Sequence, residues 1–137
     1  MAASIYYESL SPVRPSEYKL IRQVAQKAAK QRAWLSCEPV TFFPPTADGV
    51  LKGASKPNFE SKHNAPADLP DGNASDMLDV LCELSKSYGI DWMFVLEAGP
   101  PSGYVRAGVA DQALVEEVRQ LSEIANILAG QSTGARA

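Results

Sequence analysis

The spacing of apolar residues changes period several times along the chain, and each change marks an element. Ile5, Tyr6 and Tyr7 make Ser4 to Leu10 a strand candidate that Pro12 ends. Pro15 suits a first helical turn. From there Tyr18, Ile21, Val24, Ala25 and Ala28 gather on one side at about 100° per residue, with Lys19, Arg22, Lys27 and Lys30 on the other. The spacing predicts an amphipathic surface helix to about Ala33, with Ser16 as a candidate cap. Trp34 to Phe43 carries large residues in both alternating sets, Leu35, Cys37 and Phe43 against Trp34, Val40 and Phe42. That pattern predicts a strand buried on much of both faces, at an edge or bulged where Pro39 removes a ladder donor.

Residues 44–72 hold five prolines and three glycines, with only Val50, Leu51 and Phe59 as large anchors, and read as a long irregular loop. Asn73 or Ser75 can cap a second helix whose stripe is Met77, Leu78, Leu81, Leu84 and Tyr88. Gly89 followed by Ile90 has the composition of its stop. Asp91 to Glu97 is apolar on both faces, Trp92, Phe94 and Leu96 against Met93 and Val95, as a central strand would be. Gly99 to Gly103 is turn chemistry leading into a shorter strand over Tyr104 to Val109. Asp111 then caps a last helix to about Ala129, with Leu114, Val118, Leu121, Ala125 and Leu128 inward and Gly130 as its stop.

The order is β-α-β, long loop, α-β-β-α. It predicts one α+β domain over 1–130, a two-layer sandwich of three helices on a mixed or antiparallel sheet of about four strands, with a frayed tail over 131–137. One helical layer covers one sheet face. The second apolar face of 91–97 then calls for a partner or the long loop.

Composition changes this picture little. Of 137 residues, 45% are hydrophobic and 21% charged, ordinary values for a globular chain. Met1 to Glu8 lacks the basic start and apolar run of a secretory signal, and no stretch approaches about 18 apolar residues, so a cytoplasmic protein with no membrane span is expected. Cys37 and Cys82 fit packed thiols in a reducing compartment. Charge is uneven: within 13–32, six basic residues face Glu17 alone, so the remainder must be strongly acidic to leave the chain at −3. A basic helix on an acidic body reads as a solvated face, and nucleic-acid binding is disfavoured.

Motifs are sparse. Cys37, His63 and Cys82 have no paired ligand spacing, which argues against zinc, and the turn at 99–103 lacks the Lys-Ser/Thr end of a phosphate loop. No cofactor is expected. A Cys37–His63 nucleophile oriented by Glu38 or Asp68 is formally open. Arg106 shares a strand side with Tyr104 and could meet an anionic ligand, although pairing with Glu97 or simple solvation is the commoner fate. Asp76, Asp79 and Glu83 read as the outer face of their helix. The favoured reading is a small non-enzymatic binding or regulatory protein working through protein–protein contacts. The rival is an enzyme or ligand-binding domain with a pocket under 44–72, using Cys37, Glu38, His63, Tyr104 or Arg106. Ile124, Ile127 and Ala129 leave the last helical turns apolar nearly all round, so a symmetric homodimer with Ile124, Ile127 and Leu128 at its interface is expected, the alternative being that the long loop folds back over Ile127.

Overall fold

A computed structural model describes residues 4–57, 69–96 and 101–134, with side chains as far as residue 124. Its elements run β1 (Ile5–Ser9), α1 (Pro15–Ala29), β2 (Lys52–Ser55), α2 (Ala74–Tyr88), β3 (Trp92–Leu96), β4 (Pro101–Arg106), β5 (Val109–Ala110) and α3 (Gln112–Gly134). The strands form one antiparallel sheet in the order β2-β1-β3-β4-β5. This is the expected α+β layering with five strands in place of four, and the strand over 92–96 is central.

Alternation along each strand separates two faces. Ile5, Tyr7, Trp92, Phe94 and Val105 point into the core. There they meet Ile21 and Ala25 of α1, Met77, Leu78, Leu81 and Leu84 of α2, and Leu114 and Val118 of α3. These buried helical residues all belong to the stripes read from periodicity; the side chains of Ala125 and Leu128 lie outside those described. Asn73 caps α2 through a reciprocal box, its side chain accepting from the Asp76 N–H at 3.0 Å while Asp76 accepts from the Asn73 N–H at 2.9 Å. Gly89 ends that helix in the left-handed conformation at φ 68°.

Between residues 30 and 57 the chain departs from its sequence pattern. Trp34 to Phe43 is not a strand but a strap, and its backbone forms only two isolated β-bridges, Cys37 to Pro57 and Phe42 to Gly53. The second strand lies instead inside the expected loop, at Lys52–Ser55, built from residues with little strand preference. The cause is close packing. A Cβ on Gly53 would stand 2.1 Å from the Thr41 carbonyl oxygen and 2.6 Å from Cε1 of Tyr7, so only glycine lets the strap lie on β2. Helix α1 stops at Ala29 because the Ala33 N–H donates to the Pro70 carbonyl and Trp34 turns left-handed at φ 52°.

Elsewhere the departures are smaller. Pro101 to Gly103 belongs to β4 and not to a turn, residues 97–100 lie outside those described, and the strand expected over Tyr104 to Val109 is broken by a turn at Ala107 and Gly108, both with positive φ. Asp111 precedes α3, but its carboxylate accepts from the Tyr104 N–H at 3.0 Å. Helix α3 continues through Gly134, beyond the expected stop at Gly130 and into the expected tail.

Gly53→Ala should therefore destabilise the fold by about 1–3 kcal/mol or more, because the obstructing atom is backbone. Thermal melting checks this, with a fall in Tm of several degrees expected; an unchanged Tm would remove the strap from its place on β2.

Candidate functional site

The face of the sheet turned away from the helices carries the chemistry. By register, Ala54, Tyr6, Val95 and Pro101 form one row across it, and Lys52, Glu8, Met93 and Tyr104 form the next. Arg106 pairs with Val109 beyond them, and Leu10 continues the same side of β1. Tyr6 is 43% exposed, Leu10 44%, Phe43 48% and Val109 70%. Single exposed apolar residues are ordinary, but here four surround one sheet surface whose centre is Met93 and Val95. Tyr6, Phe43, Met93 and Val95, with Glu8 and Lys52, line a shallow hollow of about 280 Å³. The strap delivers Phe43 to its rim, since the Phe43 N–H donates to the Lys52 carbonyl at 2.8 Å.

Charge on this face is sparse and ordered. Lys52 lies 3.7 Å from Asp48. Arg106 sits over the Tyr104 ring, 4.5 Å from its centre, a cation–π contact. The register places Val105 opposite Trp92, so Arg106 lies at the opposite end of β3 from Leu96. Glu8 and Arg106 make no ion pair with any described residue.

The other sequence candidates do not gather. Cys37 is buried beside the outer edge of β2, with β1 and β3 between it and the strand that carries Tyr104 and Arg106. Burial pushes its thiol up to about 12, helped by the carboxylates of Glu38, Asp71 and Asp76. A thiol held protonated and shut from solvent is no nucleophile at neutral pH. Glu38 is exposed and accepts from the Lys56 N–H at 2.9 Å, which closes the strap onto the chain after β2. His63 and Asp68 lie outside the described residues, as do Glu97 and the side chains of Ile127 and Leu128; Ile124 is 46% exposed. Asp76 serves the cap and lies 3.5 Å from Arg32. Lys19, Arg22, Lys27 and Lys30 are exposed on α1 with no carboxylate within ion-pair distance among the described residues. Among the described residues no three His, Cys, Asp or Glu side chains stand close enough to hold a metal ion, and no helix is long and apolar enough to cross a membrane.

The residues of the hollow escaped sequence reading, because register across strands that are distant in sequence assembles them. The one available signal was that 91–97 is apolar on both faces. Comparison of the chain with protein-family models, with curated proteins and with solved structures finds no match.

Two outcomes follow from the buried acids. Thiol titration of the native protein should count at most one reactive cysteine, the half-buried Cys82, and two after unfolding; rapid labelling of Cys37 in the folded state would contradict its burial. Tyr7 is also pushed up to about 12 by burial. Both acids hold their protons more tightly folded than unfolded, so their stabilisation is complete below about pH 9 and drains away as pH rises toward 12. Denaturant melts across that window should show the loss, and Cys37→Ala should flatten the part that begins near pH 9.

Proposed function

We propose that this protein is a small non-enzymatic binding or regulatory protein that works through protein–protein contacts, with the open sheet face as its contact surface. The observation that carries the reading is the apolar, aromatic centre of that face at Tyr6, Phe43, Met93 and Val95, ringed by the exposed Leu10 and Val109. Interfaces concentrate aromatic residues, Met and Arg at such a centre and keep other charges at the rim. The scattered placement of Cys37, Glu38 and Arg106 favours binding over catalysis, since catalysis requires groups that converge. Two free cysteines suit a reducing, cytosolic setting. Self-association belongs to the same reading, with the Ile124, Ile127 and Leu128 side of α3 as one candidate seat for a homodimer.

The test uses in-cell cross-linking of the tagged parent, of Val95→Lys, and of a variant with Lys19, Arg22, Lys27 and Lys30 all changed to Gln. Protein cross-links that Val95→Lys abolishes and the helix variant keeps support the reading, provided all three melt alike. Cross-links indifferent to Val95→Lys, or abolished by the helix variant alone, would overturn it.

A further inference from the structure

The face is complementary to itself. Its apolar centre lies on β3, at Met93 and Val95. On one flank, one strand away, stands Glu8 of β1, opposite Met93 in register. On the other flank, also one strand away, stands Arg106 of β4, two residues beyond Tyr104, which is itself opposite Met93. Acid and base are thus set on either side of a common apolar line, and neither has an ion-pair partner among the described residues. A two-fold axis parallel to β3 exchanges the β1 flank of one copy with the β4 flank of the other. We propose, resting on the reading of this face as a protein contact, that its occupant is a second copy of this chain. The two sheets meet face to face, with Glu8 beside the partner subunit's Arg106 and Arg106 beside the partner subunit's Glu8.

The geometry suits such a contact. Antiparallel sheets pack in aligned fashion at roughly 30°, about 10 Å apart, and a long arginine side chain spans much of that gap. Stacking on Tyr104 already restrains the Arg106 guanidinium, which lessens what ordering it costs. A point-symmetric contact pairs each flank twice, so two ion pairs bracket one apolar centre. Exposed aromatics beside Lys52 and Arg106 could also stack single-stranded nucleic acid, but Glu8 sits inside the face, and a chain of net charge −3 opposes a phosphate backbone. The face spans four strands of about five residues, roughly 19 by 17 Å, which places the contact at the small, transient end of protein interfaces.

Sedimentation equilibrium on the purified chain tests this with Glu8→Arg, Arg106→Glu and the double variant, each first shown to melt like the parent. The expected result is a dimer whose Kd rises about tenfold or more in each single variant and returns to within about threefold of the parent in the double. Val95→Lys, which places a charge in the apolar centre, should give a monomer whether or not the charge variants fold. A parent still monomeric at about 0.5 mM overturns the self-pairing. It leaves the protein-contact reading standing if the Val95-dependent cross-links are then found to other proteins. A dimer that ignores all four variants but is split by Ile124→Glu also overturns the proposal, and seats the contact on α3. Dimerisation that fails together with every Val95-dependent cross-link removes both readings.

Discussion

Much of this molecule hangs on one buried hydroxyl. Tyr7 lies at the centre of β1 with its ring packed among Phe42, Trp92 and Phe94, so its oxygen is deep in the core and must find partners there. It finds them in the strap and in β2, accepting from the Thr41 N–H at 3.1 Å and lying 2.8 Å from Ser55 Oγ, which donates in turn to the Pro39 carbonyl at 2.9 Å. The strap's proline interrupts a ladder, yet its carbonyl completes this network. Trp92 beside it is served differently: its indole N–H meets no acceptor among the described residues, and the ring stacks on Phe42 at 5.7 Å. Polar satisfaction in this core runs through Tyr7, which makes the strap part of the fold.

That arrangement also explains which elements could be read in advance. Helix α2 declared itself by its stripe, by Asn73 and by Gly89, all within one short stretch, and β3 did so by being apolar on both sides. Local rules suffice where an element's own residues decide its form. Lys52–Ser55 is the reverse case. Its small residues look like loop because their role is to admit neighbours: Gly53 makes room for Thr41 and Tyr7, and Ser55 receives the Tyr7 hydroxyl. Conversely, Trp34 to Phe43 carries strand-forming side chains that bury themselves while the backbone makes only two bridges. Tertiary packing overrode propensity in both.

The site divides in the same way. Tyr104 and Arg106 were legible as neighbours on one side of a strand, and they do lie together. Tyr6, Phe43, Met93 and Val95 come from three separate regions of the chain and meet through register and through the strap, which no local pattern encodes. Cys37 is core, as its reading as a packed thiol expected.

The position of β1 bears on how the chain is made. The first strand synthesised is an interior one, flanked by β2 on one side and β3 on the other, with Ile5 paired to Ser55 and to Leu96. Synthesis must therefore reach Leu96 before this strand has both neighbours. Pairings so distant along the chain carry a loop-closure cost before any reward, the signature of slow folders with high contact order. Until then Ile5, Tyr6 and Tyr7 stand in an apolar strand that lacks at least one of its neighbours. For this topology the hazardous interval is birth, when the strand that later organises the sheet has nothing yet to hold.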